Sequence, residues 1–380
     1  MPPSLLPVLR RLEAAYLEAT RDSSFDVELQ RLLGRSVERP TPLEVAGGMT
    51  RRLGGATIHF KREDQDPSGG TFINAVVGQS LLARRMGYRH VVADAGSGDT
   101  ALALAEMAQS LGLRCTVFMT QAETRRRTTL VSRMHAYQAT VHAVDGGGTL
   151  HEAMSAAWQY WVANSETTSY VAGAPIGPHP YPLIVRDFQA VIGREVRAQL
   201  LERGDRLPQA IVAATGGVAL GLFSAFVDDP SVRLIAVEGG GTSLMPGHHA
   251  APLTLGRPGV LHGAKTSVLQ DEGGQILPTR SVASSLMYPG AAPELAWWRQ
   301  RGRLETWVVR DHQAIEALHV ACEEENLRPS LETCHALAAG AQMARLLPAD
   351  CLIVIPIVGS CDGDMDGQRP SHPARRQVTA

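Results

Sequence analysis

Residues 90–119, HVVADAGSGDTALALAEMAQSLGLRCTVFM, hold a complete strand–loop–helix–strand passage. His90–Asp94 is a short apolar run rich in valine, as a buried strand requires. A glycine-bearing loop follows, and Asp99–Leu111 then repeats Ala and Leu at helical spacing. Cys115–Met119 is a second strand. Two strands joined by a helix predict a parallel sheet with helices on both faces.

The same alternation extends both ways. Upstream stand a strand at Thr57–Lys61 and a helix at Phe72–Arg85. Downstream, Glu123–Met134 and Leu150–Trp161 read as helices around the strand Thr140–Val144. The second half adds strands at Ile211–Ala214, Leu234–Glu238 and Cys351–Val358, with helices at Val218–Val227, Asp311–Glu325 and Leu331–Leu347. Ligands of such sheets bind beyond the carboxyl ends of the strands, so the loops after Lys61, Asp94, Ala214, Glu238 and Val358 are the ones to watch. Residues 8–33 form one or two amphipathic helices, with Leu9, Leu12, Tyr16 and Leu17 on one face. Arg39-Pro40-Thr41-Pro42-Leu43 is stiffened by its prolines.

The composition narrows the function. A chain of 380 residues suits one large α/β domain or two halves sharing a cleft. With 44% hydrophobic and 19% charged residues it is globular, and a formal net charge of -2 gives no basic footprint for nucleic acid or membrane. No signal-peptide core and no long apolar run is visible, so a cytoplasmic location is expected. The five cysteines form no C-x-x-C pair, which argues against a disulfide framework or a zinc site. Asp362-Gly363-Asp364-Met365-Asp366-Gly367 imitates a calcium loop, but its twelfth position is Pro373, so no metal is expected. Lys61 and Lys265 are the only lysines, and an internal Schiff base needs a lysine amine.

Several runs resemble the tryptophan synthase β chain family, which has the fold-type II pyridoxal phosphate enzyme fold. They are Arg39–Leu43, Lys61-Arg62-Glu63-Asp64, Gly177-Pro178-His179-Pro180-Tyr181-Pro182 and Val185-Arg186-Asp187-Phe188-Gln189, followed by Val191–Glu195. Gly256–Gly263 and Tyr288-Pro289-Gly290 continue the colinear series, which spans about Leu9 to Asp364. The resemblance implies an α/β fold of two halves with parallel sheets and the site between them. It implies N-terminal helices in 1–37, one half in 71–189 with a mobile region about 87–174, the other half in 38–70 and 190–367, and a flexible tail in 368–380.

Set against the family's motifs, the cofactor anchors differ. The family's Schiff-base lysine and the histidine before it match Phe72 and Thr71. Its Gly-Gly-Gly-Ser-Asn phosphate loop matches the shorter Ala214-Thr215-Gly216-Gly217-Val218. Its pyridine-nitrogen serine matches Val358, and the aspartate before Tyr-Pro-Gly matches Met287. Its substrate loop matches Asp94-Ala95-Gly96-Ser97-Gly98-Asp99-Thr100. Glu332 keeps its place in Pro329-Ser330-Leu331-Glu332.

Asp94, Asp99 and Glu332 are therefore the candidate catalytic carboxyls, since neighbouring acids in a desolvated cleft take different protonation states. Thr71, Phe72, Gly96, Ser97, Gly98, Thr100, Gly216, Gly217, Met287 and Val358 are the candidate substrate-binding residues. Plainer roles stand beside these: Asp99 as a helix N-cap, Glu332 as a satisfied buried acid, and Phe72, Val358 and Met287 as packing. His179 and His262 fall in runs that the resemblance makes structural.

These readings lead to an enzyme that works without pyridoxal phosphate, with no cofactor at all. It would perform addition, elimination or cyclisation, including C–C bond formation, on a small organic or aromatic substrate in specialised metabolism. The alternative is a non-catalytic pseudoenzyme paired with a tryptophan synthase α-like or β-like chain. Conventional pyridoxal phosphate-dependent tryptophan synthesis is disfavoured by Phe72. A homodimer is expected from the resemblance alone.

Overall fold

The computed structural model describes residues 5–36, 39–65, 72–95, 98–145 and 150–361; the side chains of Asp99 and Leu150 are not among the described atoms. Twelve strands appear in this part of the chain: β1 (Leu43–Val45), β2 (Thr57–Arg62), β3 (His90–Asp94), β4 (Arg114–Thr120), β5 (Thr140–Val144), β6 (Thr168–Tyr170), β7 (Ala210–Ala214), β8 (Arg233–Gly239), β9 (Arg257–Leu261), β10 (Ala264–Val268), β11 (Leu304–Val309) and β12 (Leu352–Ile357).

Two sheets carry the fold. One has the order β5-β4-β3-β6 and is parallel throughout. The other has the order β1-β2-β12-β7-β8-β11; it is parallel except at its edge, where β1 runs antiparallel to β2. The strands β3, β7, β8 and β12 are buried along nearly their whole length, as strands covered on both faces must be. This is the fold-type II α/β architecture that the sequence led us to expect. The antiparallel edge and the β9–β10 hairpin are additions to the parallel pattern.

Three details differ from the sequence reading. The helix expected over Glu123–Met134 is two, Gln121–Arg126 and Thr128–Ala136. The break turns Arg127 inward, where only 6% of it is exposed and its Nη1 lies 2.5 Å from where a Cβ on Gly98 would stand. Asp99 is the first residue of its helix rather than the N-cap; Gly98, at φ +88°, holds that position, a conformation that glycine adopts freely. Leu17 is 41% exposed, because the buried stripe of the helix Leu5–Ala19 runs through Leu5, Val8, Leu9, Leu12, Tyr16 and Ala19, one helical step away.

The helix Gly217–Ser224 sets the position of the glycine turn after β7. It crosses the helix Tyr181–Gln189 so closely that a Cβ on Gly221 would stand 2.5 Å from backbone atoms of Gln189. We expect Gly221→Ala to destabilise the protein by about 1–3 kcal/mol, the usual range for overpacking. A shift in the urea midpoint measures it, and an unchanged midpoint would contradict the tight crossing.

Candidate functional site

The carboxyl ends of β3, β7 and β8 converge on one pocket between the two sheets. Its wall includes Phe72, Asp94, Thr100, Thr215, Gly216, Glu238, Tyr288 and Glu332, with Gly173–Ile176 closing one side. The enclosed space is about 90 Å³, room for a handful of waters.

Asp94 ends β3 and is 3% exposed. The Tyr170 hydroxyl donates to its Oδ1 at 2.6 Å. Burial and the neighbouring Asp94 charge both push the Tyr170 phenol well above its usual value, so Tyr170 stays a donor. Glu332 lies in the first turn of the helix Leu331–Leu346, whose start is capped by Ser330 Oγ accepting from the Thr333 amide at 3.2 Å. A carboxylate in a first turn is favoured by the helix dipole. Glu332 Oε1 lies 3.8 Å from where a Cβ on Gly216 would be, which places the acid directly beside the glycine turn.

Phe72 precedes the helix Ile73–Arg85, and its carbonyl accepts the Val76 amide at 3.0 Å. Its ring lies on Gly217, where any Cβ would collide with it. An aromatic side chain thus covers the glycine turn from the pocket side.

Glu238 was not singled out by the sequence reading, although an acid at the carboxyl end of a parallel strand was a usable signal. It is fully buried, and burial pushes its carboxyl up to about 7. It accepts the Leu253 and Thr254 amides at 2.6 and 2.8 Å and so caps the short helix Pro252–Leu255. The folded state holds the proton more tightly than the unfolded chain does, so this contribution to stability is full below about 4.5 and is lost as pH rises through 7. By pH 8 the loss is about 3 kcal/mol, and Glu238→Gln should flatten this part of the pH–stability curve. Denaturation of both proteins between pH 5 and about pH 8 tests it; parallel curves would contradict it.

The other candidates divide. Thr100 and Gly216 line the pocket with Phe72, Asp94 and Glu332. Gly217 is buried against Phe72, and Gly98 against Arg127 and Leu130; neither is in the lining. Val358 packs in the core of the larger sheet; its amide and carbonyl both bond the Thr333 hydroxyl, at 3.1 and 2.9 Å. Met287 is half-buried, outside the lining, and its carbonyl accepts from Thr279 Oγ1 at 2.7 Å. Thr71, Gly96 and Ser97, the side chain of Asp99 and the run Asp362–Gly367 lie outside the described residues. Tyr288 is a second wall residue that the sequence reading passed over, since it was noticed only as part of a matching run.

Residues 35–359 match the family described as "Pyridoxal-phosphate dependent enzyme". The chain belongs to this family. It is 44% identical, over 95% of its length and 90% of the relative's, to the "Tryptophan synthase beta chain" of Jannaschia sp. (strain CCS1). Among solved structures, it resembles a fungal L-serine ammonia-lyase from Rhizomucor miehei, with a TM-score of 0.66 and 18% identity over 87% of this chain and 98% of that one. It also resembles a variant of O-ureido-L-serine synthase with O-ureido-L-serine bound, with a TM-score of 0.63 and 16% identity over 89% and 94% of the two chains. At those identities the two structures establish the fold.

Membership of the pyridoxal-phosphate dependent enzyme family corrects the functional expectation. The reading of a cofactor-free enzyme, and its pseudoenzyme alternative, rested on differences in a few short runs. Identity of 44% across almost the whole chain with a tryptophan synthase β chain outweighs them and points to a conventional enzyme of this family with pyridoxal phosphate as its cofactor.

The wall as it stands offers that cofactor no amine. No lysine is among the described lining residues. Lys61 is 0% exposed, with Nζ bonded to Glu195 Oε2 at 2.6 Å, the Thr41 carbonyl at 2.7 Å and Gln199 Oε1 at 3.1 Å. Lys265 is exposed on β10. The described residues therefore do not fit a covalently linked pyridoxal group. Among the described residues, no helix is long and apolar enough to cross a membrane.

Proposed function

We propose that the chain is an enzyme of the tryptophan synthase β type whose active site is the pocket between the sheets, with pyridoxal phosphate held there without a bond to the polypeptide. The identity of 44% to a tryptophan synthase β chain carries this reading. Asp94, Asp99 and Glu332 are its acid–base residues, and Thr71, Phe72, Gly96, Ser97, Gly98, Thr100, Gly216 and Gly217 shape the space around the substrate. The Tyr170 hydroxyl orients Asp94 by donating to its Oδ1, and the helix start holds Glu332 beside the glycine turn. Phe72 keeps water from the glycine turn.

The enclosed space is small, so substrate entry requires movement, which we assign to the region 87–174 of the half in 71–189 against 38–70 and 190–367. A homodimer and an α-like partner belong to the same reading; sedimentation of the protein alone and with such a chain measures both.

The test is to purify the protein with added pyridoxal phosphate and supply L-serine and indole. We expect the cofactor to stay with the protein through gel filtration, to be released intact on denaturation, and tryptophan to form. Asp94→Asn and Glu332→Gln should each lower turnover by about 10²–10⁴-fold with the fold unchanged. Loss of the cofactor on the column together with no product would refute the reading.

A further inference from the structure

His262 occupies an unusual place. It is the first of two turn residues between β9 and β10, with φ +45°, followed by Gly263 at φ +77°. Both central residues at positive φ make the tight hairpin turn that normally takes Asn-Gly or Asp-Gly. A histidine there accepts backbone strain, and its ring contacts show what the position does. Nδ1 lies 2.7 Å from the Tyr288 hydroxyl and Nε2 lies 3.2 Å from Ser155 Oγ. The ring stacks on His151 at 4.9 Å and lies parallel to Trp158 at 6.4 Å.

The two distances fit one assignment of the protons. A bond of 2.7 Å is the commonest length for an O–H donor, and 3.2 Å lies within the range of an N–H donor. In that assignment Tyr288 donates to Nδ1, and Nε2–H donates to Ser155. Burial holds the Tyr288 phenol far above its usual value, so it keeps its proton, and burial pushes His262 down to about 4, so it stays neutral. Tyr288 lines the pocket between the sheets, while His262 and Ser155 line a second cavity of about 470 Å³ walled by Leu5, Trp158, Val162 and Pro178. That assignment draws the Tyr288 hydroxyl proton away from the pocket, towards the second cavity.

We propose that His262 is a positioning residue that engages the Tyr288 hydroxyl proton, leaving the Tyr288 oxygen as an acceptor for an N–H or O–H donor of a ligand in the pocket. The acceptor role rests on the reading of that pocket as the substrate site; the proton assignment stands without it.

Long-range ¹H–¹⁵N spectra of the histidine rings, assigned with His262→Asn, test the arrangement without ligand. Asn suits the turn but is too short to reach Tyr288. We expect His262 to be neutral at pH 7 with its proton on Nε2. A proton on Nδ1 would overturn the proposal, because Tyr288 would then be the acceptor of that bond. Binding of indole and N-methylindole tests the acceptor. Tyr288→Phe and His262→Asn should each weaken indole about five- to tenfold and leave N-methylindole unchanged. Equal loss for both ligands, or no loss, would overturn the acceptor role. If neither ligand binds, the substrate reading of the pocket falls, and the ring tautomer still decides the assignment.

Discussion

Phe72→Lys should acquire a pyridoxyl group that borohydride fixes to the polypeptide, where the parent protein acquires none. The change is from no attachment to near-stoichiometric attachment, read as a mass increase on the peptide containing residue 72. Position 72 is where the geometry allows it: the side chain lines the pocket beside the glycine turn, which Glu332 also borders. Neither natural lysine competes, since Lys61 is bound on three sides in the interior and Lys265 is on the exposed hairpin. The new ammonium would face the carboxyls of Asp94, Glu238 and Glu332, which favour its charged form, so attachment should strengthen at alkaline pH, where the free amine is available. A folded variant that binds the cofactor but yields no fixed adduct would show that residue 72 does not face the aldehyde.

Lys61→Met should destabilise the protein by about 3–5 kcal/mol, the loss expected when one partner of a buried ion pair is removed. Burial pushes the Lys61 ammonium below its usual value, while Glu195 holds it up. The same Glu195 oxygen also receives Arg39 Nη1 at 2.8 Å and the Thr41 amide at 3.2 Å. Arg39 reaches Glu63 at 2.6 Å and Asn74 Oδ1 at 2.9 Å, so one knot ties the chain at positions 39–41, 61–63, 74 and 195. Removing Lys61 leaves Glu195 short of a charge in a site it cannot leave. Adding Glu195→Gln should recover part of the loss. Urea titrations of the parent and both variants measure it, and a loss below about 1 kcal/mol for Lys61→Met would mean that water reaches the knot.

Much of the architecture was legible because each sheet strand is a short apolar run set off by a helix of clear period. The helix Asp311–Glu325 was read to the residue. β1, β6, β11 and the hairpin β9–β10 escaped notice: the first two have only three residues each, β11 is half-buried along its middle, and β9 begins with an exposed Arg-Pro pair. The split at Arg127 left no mark, since an arginine fits a helix interior as well as a break. At the site, matching of the family's motifs led to Asp94, Glu332 and Phe72, which the fold brings to one pocket. It also led to Val358 and Met287, whose side chains pack elsewhere, because alignment gives the position of a residue along the chain and not its direction. Glu238 and Tyr288 were missed, and His262 was read as structural, since their roles come from contacts 15–107 residues apart in sequence, such as Glu238 with Leu253 and Ser155 with His262. The error about the cofactor had another origin: three local differences were given more weight than the resemblance of the whole chain.

The order of strands in the larger sheet has a consequence for synthesis. β2 lies between β1 and β12, so a segment made near the start waits for its parallel neighbour until residues 352–357 have left the ribosome. The smaller sheet, contiguous within residues 90–170, has all its strands long before that. Vectorial growth therefore completes the inserted unit first and closes the surrounding one last, leaving an apolar edge exposed throughout elongation. A nascent chain halted before β12 emerges should engage chaperones at β2, and release should come with the last strand.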